Sequence, residues 1–304
     1  MPRRRKGRDV HGIILLDKPP GYSSSQAVQK VRWLFKARKA GHTGTLDPFA
    51  TGMLPICLGE ASKTAGFMLG ASKQYLATAR LGQATATGDT EGDLVKEMPV
   101  PDLTPKVIDK AFESFRGVIE QVPPMYSALK HQGQPLYKLA REGIEVERKP
   151  RTVAIHELKL ISWEKPMLVF NVHCSKGTYV RTLAEDIAEE LGCCAHLQAL
   201  RRLVVEPFLE ADMISLQEVE EAAEAGRQDA LLLPLDKGLE AWPVVELSGE
   251  GKLRFTHGNP APVRETCRGK VRVYEQGGKI LGLGEVSEDS RVYPKRLFMT
   301  DLVK

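Results

Sequence analysis

The stretch Gly41-His42-Thr43-Gly44-Thr45-Leu46-Asp47-Pro48-Phe49-Ala50-Thr51-Gly52 sets one carboxylate in a short turn bounded by glycines. Glycine allows backbone conformations and close approaches, including approach to a ligand, that a Cβ forbids. Loops carried by a rigid scaffold are also where reactive side chains concentrate. Asp-Pro alone is an ordinary turn opener, because an Asx side chain bonds the backbone nearby and proline presets φ. A plain turn and a reactive loop both fit the stretch taken alone.

Working outward, Gly12 to Leu16 is an apolar run stopped by Pro19-Pro20-Gly21, which predicts a buried strand entering a turn. A helix follows, capped by Ser23 or Ser24. Val28, Val31, Leu34 and Phe35 recur at helical spacing, Lys36, Arg38 and Lys39 suit its C-terminal end, and Gly41 closes it. His42 to Gly52 is a loop by composition, with His42 exposed at its tip. Tyr75, Ala77, Ala79 and Leu81 alternate with Leu76, Thr78 and Arg80 as a strand. Thr104-Pro105 opens a helix whose apolar stripe is Ile108, Ala111, Phe112 and Phe115.

Residues 123–151 are polar, basic and punctuated by Pro and Gly, with a short helix over Leu136 to Arg141. A structureless insertion of that length in a compact domain points to a functional loop. Leu168, Phe170, Val172 and Cys174 then alternate as a strand, and Val180 to Leu191 forms a helix closed by Gly192. Ser215 caps an acidic helix ending near Gly226, and Gln276-Gly277-Gly278 lies between two apolar runs as a hairpin turn. Segregated strands and helices favour an α+β fold over regular βαβ alternation. The expected layout is a basic flexible tail at 1–10, a large domain at 11–243 carrying the insertion 123–151, and a small β-rich domain at 247–304.

The chain has 304 residues, 42% hydrophobic and 27% charged, which excludes a mainly disordered or fibrous protein. A net charge of +4 is too small to establish nucleic-acid binding, but its distribution is uneven. Arg3, Arg4, Arg5, Lys6 and Arg8 crowd the N-terminus, and residues 130–151 are basic. Glu206 to Glu224 holds seven carboxylates and no Lys or Arg. One face that attracts a polyanion fits this pattern; a solvated tail and an acidic helix fit it equally. The five cysteines form no C-x-x-C pair and no metal-ligand spacing with the seven histidines. No apolar run reaches the roughly 18 residues of a membrane span, and no secretory signal opens the chain, so a reduced, cytoplasmic protein is expected. Gly59-Glu60-Ala61-Ser62-Lys63-Thr64 lacks the glycine a phosphate loop needs before its lysine, and Gly282-Leu283-Gly284 lacks the third glycine of a dinucleotide fingerprint.

Leu16-Asp17-Lys18-Pro19-Pro20-Gly21, read with Gly44-Thr45-Leu46-Asp47-Pro48, strongly resembles the TruB-type tRNA pseudouridine synthases, whose signature is a Gly-x-Leu-Asp-Pro loop. The resemblance continues through Lys73-Gln74-Tyr75, Pro124 to Lys130, Lys176-Gly177-Thr178-Tyr179-Val180-Arg181 and Leu200-Arg201-Arg202. Leu253 to Phe298 is similar, more loosely, to the small PUA-type RNA-binding domain. Together these blocks span most of the chain. The resemblance implies a catalytic domain with a mixed, mainly antiparallel sheet flanked by helices, followed by a PUA-like domain. It implies isomerisation of uridine-55 in the T-loop of tRNA, without metal or nucleotide cofactor, by a monomer.

The same resemblance assigns roles. Asp47 is the catalytic carboxylate, attacking either the pyrimidine ring or the ribose anomeric carbon, and Arg181 is its ion-pair partner, keeping it ionised. Arg181 also stands in the first turn of its helix, where the dipole disfavours a cation by about 0.3–1 kcal/mol unless an anion lies close. Tyr75 packs on the base and removes the last proton; alternation alone makes it a core tyrosine. His42 fills the space of the extruded base. Tyr179 and Leu200 line the uracil pocket, and Lys18 contacts substrate or supports the loop. Lys130, Arg141, Arg148 and Arg151 clamp RNA phosphates. Two other functions fit the same blocks: an RNA-folding chaperone, and the catalytic subunit of a guide-RNA complex.

Overall fold

The computed structural model describes residues 7–264 and 266–299. Residues 1–6 of the expected tail lie outside them. Gly7 to Asp9 do not form a tail: the Arg8 amide donates to Lys36 O, the Arg38 amide donates to Arg8 O, and the Arg8 guanidinium pairs with Asp229. Backbone bonds on both sides fix this segment against the chain after the first helix.

In order, the large domain runs β1 (Gly12–Lys18), α1 (Ser24–Leu34), β2 (Ala40–His42), β3 (Thr51–Leu58), α2 (Ala65–Met68), β4 (Lys73–Leu81), β5 (Gln83–Thr85), β6 (Leu94–Glu97) and α3 (Pro105–Glu113). It continues through β7 (Gly117–Gln121), β8 (Lys130–His131), β9 (Gln134–Pro135), α4 (Leu136–Arg141), β10 (Arg151–Glu164), β11 (Met167–Cys174), α5 (Val180–Glu190), β12 (Ala195–Val205), β13 (Ile214–Ser215) and α6 (Leu216–Glu224). The main sheet has the order β13-β1-β3-β12-β4-β11-β10-β7, with β2 beside β3. Only β1–β13 and β3–β12 are parallel, so the sheet is mixed and mainly antiparallel, as expected of this α+β fold.

Amphipathic stripes set the layers. Val28 and Val31 of α1, Ile108 and Phe112 of α3, and Leu183 and Ile187 of α5 share one core with Leu16, Leu54, Ala77 and Phe170 of the sheet. On β1, Ile14 and Leu16 enter this core, whereas Ile13 and Leu15 enter a second one with Met53, Cys57, Ile280, Leu283 and Phe298. Burial on both faces explains why the run at 12–16 is apolar without alternation. The second core joins the sheet to the C-terminal unit, made of β14 (Val244–Leu247), α7 (Gly249–Thr256), β15 (Ala261–Pro262), β16 (Gly269–Glu275), β17 (Ile280–Val286) and β18 (Arg291–Leu297). Its first strand begins at Val244, ahead of the expected Leu247.

Two local expectations are corrected. Helix α1, capped by Ser23 in a capping box with Gln26, stops at Leu34 rather than at Gly41. Phe35 turns fully into the core and Lys36 takes the left-handed turn at φ 50°, while Gly41 lies within β2. The loop is also shorter than His42 to Gly52, because His42 ends β2 and Thr51 starts β3. Gly52, at φ 98°, is needed for a protein contact and not for a ligand: a Cβ there would lie 2.2 Å from the carbonyl oxygen of Arg202, its parallel partner on β12. The expected helix at 136–141 and the hairpin at 276–278 form as the local sequence dictates.

Candidate active site

Asp47 sits in the turn between β2 and β3, and its own carbonyl accepts from the Ala50 amide at 3.2 Å. Three elements hold the turn. Ser24, the first residue of α1, donates to Leu46 O at 2.9 Å and accepts from Leu46 N at 2.8 Å. The Gly21 amide donates to Pro48 O at 2.9 Å. Lys18, fully buried, donates to Pro19 O (2.8 Å), Tyr22 O (2.7 Å) and Pro48 O (3.2 Å). Its ammonium therefore has no surface left for a substrate contact, and Lys18 serves the loop. Burial pushes it down to about 8.

Helix α5 brings Arg181 to the carboxylate: Nε lies 3.0 Å from Asp47 Oδ2. The first-turn cation that the dipole disfavours is thus matched by an anion. Arg181 is buried, at 4% exposure, and its other nitrogens donate to Thr87 O at 2.6 Å and Tyr126 O at 2.8 Å. Asp47 lies deep in the molecule although a third of its side-chain surface is open. Burial raises its proton affinity above the ordinary carboxylate range, Arg181 opposes this, and Asp89 adds to it. The sequence argument had Arg181 deciding the balance; desolvation is the larger influence.

Tyr75 points from β4 toward the same region, buried on the helix-bearing face of the sheet. Burial raises the affinity of its phenol for a proton, and Arg202 pulls it back. Tyr179 is the N-cap residue of α5 and is partly buried, and Leu200 is buried on β12. His42 is not an exposed loop tip: it is half-buried at the end of β2, and its Nδ1 accepts from the Gly44 amide at 3.2 Å. Burial lowers its pKa, which keeps the ring neutral near pH 7.

The basic insertion leaves the sheet next to this site. Gln121, at the end of β7, accepts from Tyr179 N at 2.8 Å and donates to Tyr179 O at 3.1 Å. Lys130, Arg141 and Arg151 are exposed. Arg148 is held inside the insertion, donating to Pro123 O at 3.3 Å and pairing with Glu145 at 3.0 Å. Those bonds commit a cation that the sequence reading assigned to phosphate.

Sequence reasoning missed Asp89 and Gln121. Asp89 is 2% exposed, pairs with Arg181 Nη1 at 3.4 Å, and accepts from the Thr87 hydroxyl and the Glu91 amide. Its signal was the polar run Thr85-Ala86-Thr87-Gly88-Asp89-Thr90 directly after a strand. Gln121 carries no local signal, since its partner is 58 residues away. Among the described residues, no group of three or more His, Cys, Asp or Glu is arranged to hold a metal ion, and no helix is long and apolar enough to cross a membrane.

Comparison with known proteins agrees with this geometry. Residues 32–180 match the model of the TruB family pseudouridylate synthase N-terminal domain. Residues 181–240 match the tRNA pseudouridylate synthase B C-terminal domain, and 243–298 match pseudouridine synthase II TruB, C-terminal. The chain is 50% identical over 301 residues to the tRNA pseudouridine synthase B of Nitrosococcus oceani, covering 98% of both chains. It is 49% identical over 294 residues to that of Coxiella burnetii, covering 95% of both. Among solved structures it resembles a chain of a Cbf5-Nop10-Gar1 complex, with a TM-score of 0.73, 26% identity, and coverage of 95% of this chain and 85% of that one. With identity near one half along almost its whole length, and with its carboxylate, arginine and tyrosine gathered around one glycine-bounded turn, the chain belongs to the TruB family of pseudouridylate synthases.

Proposed function

We propose that the chain converts uridine-55 in the T-loop of tRNA to pseudouridine, with Asp47 as the catalytic carboxylate. The observation that carries this reading is the Asp47–Arg181 ion pair at 3.0 Å, set in a turn that Ser24 of α1, Gly21 and Lys18 all hold. The reaction is an isomerisation. The N1–C1′ bond breaks, the uracil turns, a C5–C1′ bond forms, C5 loses its proton and N1 gains one, so no electron or atom is exchanged with a cofactor. Asp47 attacks the ring or the anomeric carbon, and Arg181 favours its ionised form. Tyr75 stacks on the base and takes the C5 proton.

Reaching a base in folded RNA requires extrusion, at a cost of a few kcal/mol of stacking. A neutral, half-buried His42 ring suits the vacated space. Tyr179 and Leu200 line the uracil pocket; Lys130, Arg141 and Arg151 hold phosphates, and the C-terminal unit, as a PUA-like domain, adds RNA contacts. On this reading the protein is a cytoplasmic monomer that needs no metal or nucleotide, and its grip on tRNA also gives it an RNA-folding role. The test is to incubate the pure chain with unmodified tRNA transcript and map pseudouridine, with Asp47→Asn in parallel. Expected are one new pseudouridine in the T-loop with the parent and none with the variant, whose tRNA affinity stays the same. An equal yield from the variant removes Asp47 from the chemistry. A requirement for a guide RNA returns the chain to the guided class.

A further inference from the structure

Arg202 takes no part in the reaction outlined above, yet only 1% of it is exposed. A guanidinium stays charged in a protein, so its burial is costly unless other groups replace water around it. Among the described residues no carboxylate pairs with it. Its partners are main-chain carbonyls: Nε donates to Met53 O at 2.7 Å, Nη1 to Thr45 O at 3.2 Å and Nη2 to Gly44 O at 3.2 Å. Gly44 and Thr45 precede Asp47 and Met53 follows it, so one side chain ties both arms of the catalytic turn.

The main chain at Arg202 is equally constrained. It lies between Gly52 of β3 and Tyr75 of β4, and the approach to Gly52 is too close for any Cβ. Tyr75 is its register partner on β4, and the charge of Arg202 offsets part of the burial that raises the phenol's hold on its proton. A lysine ammonium can serve three carbonyls only where they converge on one point, as they do around Lys18. Here each carbonyl meets a different nitrogen of the guanidinium, a spread that the planar fork matches and a point charge does not, and methionine donates to none.

We propose that Arg202 is a positioning residue, whose guanidinium holds the two arms of the turn and the Tyr75 phenol in one arrangement and so sets where Asp47 meets the nucleotide. This rests on Asp47 being the catalytic carboxylate. The test uses the full chain with Arg202→Met and Arg202→Lys beside Asp47→Asn, and measures single-turnover rate, affinity for unmodified tRNA transcript, and thermal melting. Arg202→Met is expected to slow turnover about 100-fold, the scale of an ångström-level misplacement, while affinity changes less than about threefold. Arg202→Lys is expected to recover about tenfold of that loss through one charge-assisted bond.

Turnover by Arg202→Met within about threefold of the parent, with Asp47→Asn dead, overturns the role of Arg202 and leaves the site intact. An active Asp47→Asn brings down the site itself. Loss of turnover and binding together in step with the folded fraction, or a lysine variant no better than methionine, assigns Arg202 to folding alone and also overturns the proposal. Should the methionine variant not fold, the lysine variant decides: a lowered single-turnover rate at unchanged tRNA affinity supports positioning, and an unchanged rate refutes it.

Discussion

Nη1 of Arg181 lies 3.4 Å from Oδ2 of Asp89, while Nε of the same guanidinium lies 3.0 Å from Oδ2 of Asp47. Two carboxylates therefore share one cation, and the charge of Asp89 is one of the influences raising the proton affinity of Asp47, after burial. Asp89→Asn removes that influence, so the acid limb of the pH–rate profile is expected to move to lower pH. The arginine is held less firmly, and turnover at neutral pH falls by about tenfold. A limb that stays in place or moves up contradicts the shared-cation arrangement.

Tyr75→Phe deletes one hydroxyl and keeps the ring on which the base stacks. Turnover is expected to fall by about 100-fold or more, the scale of a lost proton-transfer group, with tRNA affinity preserved. Rapid-quench measurement of pseudouridine formation reads this directly, and a variant as fast as the parent takes the phenol out of the proton transfer.

Lys18→Met strips the donor from three carbonyls around the turn, at a cost of roughly 1–3 kcal/mol, partly offset because a buried charge is also removed. The pH dependence has a definite sign. With its pKa pushed down to about 8 from an ordinary 10.5, Lys18 releases its proton from the folded state before the unfolded chain does. Between those values the unfolded state binds more protons, and the parent gains stability with rising pH. Denaturant melts on either side of this window are expected to show the parent's advantage over Lys18→Met growing toward alkaline pH; a shrinking advantage contradicts the buried, protonated lysine.

If exposed cations of the insertion meet phosphate, affinity for tRNA falls steeply with salt, and Arg141→Ala lowers the log–log slope by about one. Arg148→Ala is expected to act differently. It frees Pro123 O and Glu145, loosening the insertion while leaving the salt slope close to that of the parent. Filter binding across a salt series separates the two, and equal slope changes return Arg148 to the phosphate contacts.

Local sequence was a reliable guide wherever a backbone preference or a stripe of side chains sufficed. The Ser23 cap, the Thr104-Pro105 helix start, the helix at 136–141 and the hairpin at 276–278 are each decided by neighbours in the chain. Strands β7 and β10 were not legible, because they lie at the margin of the sheet, where exposure blurs the two-residue period. Glycine is only one way to stop a helix, and here Lys36, at φ 50°, takes the left-handed position after the helix end that a glycine usually fills.

The chemistry divides along the same line. The sequence by itself determined that Asp47 stands in a glycine-bounded turn, that Arg181 opens a helix needing a nearby anion, and, through its motifs, which family the chain joins. Only the tertiary structure decided that Asp89 shares that cation, that Lys18 faces the loop rather than the substrate, that Arg148 is already engaged, and that Arg202 ties the turn from within. Each of these depends on a partner far away in the chain. Burial, which sets the cost of a charge and hence the direction of its pKa, exists only once the sheet and helices have closed over it.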